Sequence, residues 1–362
     1  MSTDPTTTEA LHSEAARQLQ ICNACRYCEG YCAAFPAITR RREFARGDIT
    51  QIANLCHNCR GCYYACQYTK PHEFALNLPQ ILAETRRDSW ERFMWPRRLA
   101  VLCQRHGWST AVATVSAFGA MIFVLLTMRP SEGDGFYALM SHAAMVTIFL
   151  PAFVLPLLSL SVGMRAYWRE IGGRPVTRRD LFAAIRDAAS LRSLNGGHGD
   201  GCNFEQNNRF SHQRRRAHHA VFYGFLLCFA ATSSATVLHY VFDAPAPYPF
   251  WSLPKMLGVT GGILLTAGCI WMIWLKRSAD PALGTISGRG GETAFTALLG
   301  FVAASGLALY ALGSTAALGF LLALHLGAVL AFFLLSPFSK MAHGFFRMAA
   351  LVADAQEKHK TR

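Results

Sequence analysis

Cys22-Asn23-Ala24-Cys25-Arg26-Tyr27-Cys28-Glu29-Gly30-Tyr31-Cys32 is followed by Cys56-His57-Asn58-Cys59-Arg60-Gly61-Cys62-Tyr63-Tyr64-Ala65-Cys66, two runs with the same Cys-x-x-Cys-x-x-Cys-x-x-x-Cys spacing. Together they use eight of the chain's 12 cysteines. This is the thiolate spacing that wraps cubane 4Fe-4S clusters. Two intervening residues let a tight turn aim successive sulfurs at three corners of one cube, while the three-residue gap carries the fourth sulfur away.

In two-cluster ferredoxins that fourth Cys ligates the other cube. The expected sets are therefore Cys22, Cys25, Cys28 and Cys66 for the first cluster, and Cys56, Cys59, Cys62 and Cys32 for the second, with centres about a dozen ångströms apart. Zinc would leave the middle Cys of each triplet unexplained. Disulfides need an oxidising compartment, and the residues before Cys22 do not read as a cleavable signal peptide. The proline that usually follows the fourth Cys is displaced to Pro36 and Pro71.

Outward from these runs the composition changes. The chain of 362 residues is 52% hydrophobic and 16% charged, too apolar for an ordinary soluble protein of its length. Residues 1–100 are polar and cysteine-rich; residues 101–362 alternate apolar stretches with short polar connections. Six stretches approach the roughly 20 apolar residues a membrane helix needs: about 108–128, 136–162, 218–241, 254–275, 293–312 and 315–337. The expected fold is mainly α, an N-terminal two-cluster ferredoxin-like head followed by a six-helix transmembrane bundle. Ser2 to Thr8 reads as a disordered lead-in, and Gly258-x-x-x-Gly262 as a close helix contact.

The arginines give the expected topology. The connection at 163–217 holds Arg165, Arg169, Arg174, Arg178, Arg179, Arg186, Arg192, Arg209, Arg214, Arg215 and Arg216, whereas the opposite loops hold Arg129 and Lys255 at their edges. The positive-inside rule places the head, this loop and both termini in the cytoplasm, in a bacterial inner membrane. The net charge of +13 is then topological, with some attraction to anionic lipid of the bilayer, and does not point to nucleic acid.

Ionisable residues inside membrane spans are costly and default to functional hypotheses. Five histidine positions qualify: His142, His218 or His219, His239, His325 and His343. Neutral imidazoles on facing helices are the axial ligands of b-type haem. At about 100° per residue, His325 and His343 return to one face of the sixth span and its continuation, and His218 and His239 lie within about 60° of each other on the third. With the two spans antiparallel, His218 meets His343 near the cytoplasmic side and His239 meets His325 nearer the outer side, an arrangement suited to two stacked haems. His219 can substitute for His218. His142 can replace an outer ligand or protonate a quinone.

The segment Leu324-His325-Leu326-Gly327 through Ser336-Pro337-Phe338-Ser339-Lys340-Met341-Ala342-His343 resembles the last haem-bearing helix of the cytochrome b subunit of respiratory nitrate reductase. That resemblance implies two b haems and electron traffic between quinone and iron-sulfur centres. Span three, with Arg216-Ala217-His218-His219, departs from that family's His spacing. Over nearly its full length the chain resembles the tricarballylate utilisation protein B family. The residues that carry this are both cysteine runs, Pro71-His72-Glu73-Phe74-Ala75-Leu76-Asn77-Leu78-Pro79, and the Arg-His-His region. The resemblance implies a cytoplasmic FAD-dependent dehydrogenase as partner, whose reduced flavin this chain reoxidises.

These readings combine into a one-electron relay from flavin through the clusters and haem to membrane quinone. The rivals are a quinol-dependent reductase of a cytoplasmic substrate, a companion of a cobalamin-biosynthesis flavoprotein, and a redox sensor. The chain has no adjacent Cys-Cys pair of the kind heterodisulfide-reductase-like sites use. Gly284 to Gly291 lies between two spans rather than after a strand, so it reads as a connection and not a nucleotide loop. Cys202 beside His198 is a weak metal candidate.

Overall fold

The computed structural model describes residues 5–127, 136–205, 208–286 and 288–360. The head is built on three helices, α1 (Pro5–Cys25), α2 (Arg46–Leu55) and α3 (Leu78–Phe93). Local chemistry starts two of them. The Asp48 carboxylate accepts the Ala45 amide at the first turn of α2, and the Asn77 side chain accepts the Gln80 amide in front of Pro79 at the first turn of α3. Ala15, Leu19, Phe35, Ile38, Ile52 and Leu82 fill the space between them. The lead-in expected to be disordered enters α1 at Pro5, and Thr8 donates to Asp88 of α3. Ser2, Thr3 and Asp4, like Arg129, lie outside the described residues.

Among the described residues six helices are long and apolar enough to cross a membrane: Gly107–Thr127, His142–Glu170, Gln213–Val241, Leu253–Ser278, Arg289–Leu312 and Leu318–Phe338. Their outer faces are apolar, with Phe123, Leu126, Leu150, Leu158 and Ile270 exposed, the surface a bilayer accommodates. Span two starts later than its hydropathy implies. Phe136–Leu139 forms a separate turn, and Ser141 caps the helix that begins at His142 by accepting the Ala144 amide. Spans three and four meet through Gly224 and Gly261, where a Cβ on Gly224 would stand 2.6 Å from the Leu265 nitrogen. That close approach falls there rather than at the expected Gly258 and Gly262, which face Ala231 and Leu307.

The connection at 163–217 is largely helical. Span two continues to Glu170, α4 (Arg178–Ala189) follows, and span three already begins at Gln213. Among the described residues no strand forms; an isolated antiparallel bridge joins Cys202 to Ser211.

The last span does not continue straight through His343. Pro337 has no amide hydrogen for a helical bond, and at Ser336–Phe338 the helix tightens into a 3-10 turn before restarting as α5 (Ala342–Lys360). The shared face computed for His325 and His343 on one continuous helix therefore does not apply. Past the break, α5 joins the head: Ala350, Leu351 and Val352 belong to its core, Arg40 pairs with Asp354, and Arg41 pairs with Glu357 at 2.6 Å.

Candidate functional site

The cysteine runs occupy turns at helix ends. The first leaves the end of α1, the second follows α2 directly. Arg26, Asn58 and Arg60 inside these runs hold left-handed backbone at φ 54, 52 and 69°, a conformation that costs non-glycine residues about 1–2 kcal/mol each. What it achieves is visible at Asn58, whose amide points at Cys56 Sγ from 3.4 Å. The Tyr68 amide does the same for Cys66 Sγ at 3.3 Å.

The thiols gather in two crossed sets. Cys22 has Cys25, Cys28 and Cys66 as its neighbouring thiols, and Cys62 has Cys32, Cys59 and Cys56, with Cys28 of the first set next. Burial, reinforced by the neighbouring thiols, pushes Cys22 up to about 12 and Cys28 to about 11. Thiols crowded this way keep their protons at neutral pH unless a metal cation replaces them. Cys32, Cys56, Cys59 and Cys62 also line one small cavity with His57 and Arg60. Among the described residues no three His, Cys, Asp or Glu side chains close on a single ion. The eight thiols of these two loops are the donor chemistry that iron-sulfur clusters take.

A cap from the loop after α4 covers both runs. The Gly197 amide donates to Tyr31 O at 3.2 Å, the His198 ring meets Tyr31 edge-on at 5.0 Å, and the Asn203 amide donates to Cys59 O at 2.9 Å. The approach is so close that a Cβ on Gly197 would overlap the Gly30 carbonyl. Cys202, fully buried, sets its thiol against Cys59 and 3.3 Å from Leu194 O. The polar contact with Cys202 outweighs burial and lowers Cys59 from the usual thiol range. His198 and Cys202 thus serve different cysteine runs.

Beneath the second run four guanidinium groups converge. Arg347 donates to Asn54 O at 3.1 Å and Cys56 O at 2.9 Å, Arg86 to Cys56 O, Arg214 to Asn58 O at 2.8 Å, and Arg60 to Phe204 O at 3.1 Å. Burial, with Arg86 next, pulls Arg347 down to about 9. His57 stands among them, held neutral by burial and by Arg347, its Nδ1 2.8 Å from Leu55 O. Arg214 precedes His218 by four residues and Arg347 follows His343 by four, so each joins the cluster loop one helical turn from a candidate ligand.

The rings of His218 and His343 lie 6.0 Å apart at 78°. Two metal–nitrogen bonds of about 2 Å plus the ring radii give roughly that separation for imidazoles on opposite sides of one metal. His343 Nδ1 donates to Lys340 O, leaving Nε2 with the lone pair. His325 is prepared alike: its Nδ1 lies 3.1 Å from Ser305 Oγ, whose own proton goes to Val302 O. His218 Nδ1 and His239 Nδ1 are buried without a partner. The donor chemistry at His218 and His343 fits haem iron.

The other histidines fall differently. His219 turns to Tyr223, 5.7 Å away. His239 stacks on His142 at 4.4 Å, and His142 Nε2 lies 2.8 Å from Tyr240 Oη. No ring contact or hydrogen bond joins His239 to His325 among the described residues. Between the inner and outer positions, Phe225 of span three meets Phe332 of span six at 5.9 Å.

Sequence reasoning missed His57, the arginines and the Cys202–Cys59 contact. The i, i+4 pairs Arg214–His218 and His343–Arg347 were the available signal.

Comparison with known proteins gives a consistent assignment. The family model described as citrate utilization protein B matches residues 109–362, and that of the citrate utilization protein B Fer4-like domain matches residues 15–91. Citrate utilization protein B of Escherichia coli is 43% identical over 359 residues, covering 96% of this chain and 93% of that protein. No solved structure matches the chain.

Proposed function

The chain belongs to the citrate utilization protein B family, and from that premise we propose that it is a membrane electron relay, taking electrons from the reduced flavin of a cytoplasmic FAD-dependent dehydrogenase and delivering them to membrane quinone. Two 4Fe-4S clusters and b-type haem, when bound, would supply the single-electron carriage that divides a flavin's two electrons.

The protein's own residues supply position. The two crossed thiol sets hold the head's centres, and the cap through Gly197 and Asn203 keeps water from them. The observation that carries the reading is the pair of arginine bridges. Arg214 and Arg347 tie the Cys56–Asn58 backbone to the helices bearing His218 and His343. The thiol loop and the imidazole pair are thereby joined through two arginines, with neutral His57 beside both of them.

The arginine-rich connection and the head share one end of the bundle, which supports a cytoplasmic head in a bacterial inner membrane. Citrate and tricarballylate are both tricarboxylates, so the partner's substrate is of that class.

The test is iron and haem content of the detergent-purified protein with optical and paramagnetic resonance spectra, before and after dithionite. About eight non-haem irons with low-spin b haem reduced on addition are expected. Iron without haem would break the path at His218 and His343 and defeat the relay.

A further inference from the structure

The arginines under the second cysteine run stand out by what they lack. Elsewhere in the head, cations meet carboxylates or water: Arg17 pairs with Glu14, Arg40 with Asp354, and Arg41 with Asp48 and Glu357, while Arg26 is exposed. Arg60 and Arg86 are buried at 4% and 7% exposure, and Arg214 and Arg347 are half-buried. All four give their donors to backbone carbonyls or an amide side chain rather than to acids. Arg214 and Arg60 both lie over the Phe204 ring, at 4.1 and 4.5 Å; Asp280 attracts Arg60 and Glu205 is buried beside Cys202, but neither acid forms an ion pair with these arginines. Arg214 Nε is buried with no partner at all.

Buried cations without counter-ions are strongly destabilising. A cluster ligated by four thiolates is an anion, and the carbonyls that the arginines grip belong to its ligand loop. Cys56 is itself one of the charges felt by Arg347. The first thiol set has no comparable company: Arg26 is exposed, and Arg41 is paired with Asp48 and Glu357.

We infer that Arg86, Arg214 and Arg347 form a cationic girdle that holds the reduction potential of the centre on Cys32, Cys56, Cys59 and Cys62 above that of the centre on Cys22, Cys25, Cys28 and Cys66. This rests on the reading that both sets hold 4Fe-4S clusters. Moving one electron from the first centre to the second oxidises one and reduces the other, and shifts one negative charge into the girdle. Nearby positive charge favours that transfer. The second centre is thus the head's exit. The same arginines that set its potential anchor it one turn from His218 and His343.

A paramagnetic-resonance redox titration of the full-length, detergent-purified protein tests this, with Cys59→Ser assigning which signal belongs to the second centre. In Arg347→Gln and Arg214→Gln the midpoint of the second centre moves down while the first stays, at unchanged iron per chain. Arg347→Lys, which keeps the charge, returns the midpoint towards wild type. If either Gln variant fails to assemble, Arg86→Gln carries the same expectation. Unmoved midpoints in iron-replete Gln variants, or equal movement of both centres, overturn the girdle alone. A wild-type protein without iron overturns the cluster reading, and this inference with it.

Discussion

His218 and His343 bring their rings to 6.0 Å although a proline-broken turn separates His343 from the last span. His343 Nδ1 is committed to Lys340 O, which leaves Nε2 with the lone pair. His343→Ala is expected to remove one low-spin haem signal, about half of the haem if two are bound, while the iron-sulfur signals persist. Pyridine haemochrome on the purified variant measures it, and unchanged haem would refute the ligand.

The crossed thiol sets separate cluster identity from sequence order. Cys66→Ser is expected to damage the centre built on Cys22, Cys25 and Cys28, lowering iron by about four per chain. Selective loss of the signal dependent on Cys59 would show that each run holds its own cube.

At the far side, His142 stacks on His239 and bonds Tyr240. His142→Phe keeps the stacking and removes the titratable nitrogen. Haem content should stay and quinone reduction should slow. Loss of haem would transfer the outer ligand from His239 to His142.

Gly197 stacks the cap on Gly30 with no room for a methyl group. Overpacking of this kind costs about 1–3 kcal/mol, so Gly197→Ala should lift the cap. The expected result is faster bleaching of cluster absorbance in air; a wild-type bleaching rate would show that the cap does not shield the thiols.

Glu292 joins three elements, with Lys276 at 2.7 Å and Lys340 at 2.6 Å. Removing one partner of a buried ionic group costs about 3–5 kcal/mol; the lysine side chains are 22% and 27% exposed, which favours the lower figure. Glu292→Gln should therefore unfold earlier in a thermal ramp, and adding Lys340→Met should recover part of the loss. A recovery of nothing would place the cost elsewhere.

The sequence made the local features legible. Cysteine spacing encodes a turn geometry, and runs of apolar residues encode spans, so a ferredoxin-like head and six membrane helices were readable from Cys22 to Phe338. The His218–His343 meeting was reached by a calculation whose premise, an unbroken helix, Pro337 contradicts. Contacts such as Asn203 to Cys59 and Arg347 to Cys56 left no periodic trace. They join polar residues far apart in the chain, and their partners are backbone carbonyls, which any residue supplies. Histidines near the outer side were readable as a group but not as pairs, because His142 sits on a helix whose start depends on the Ser141 cap.

The break at Pro337 also fixes an order of construction. Because the helix restarts there and turns back into the head, a wall around the cysteine runs, Ala350 to Val352 with Asp354 and Glu357, is made only after the sixth span. The head precedes the spans in the chain but cannot close until the sixth of them has been made.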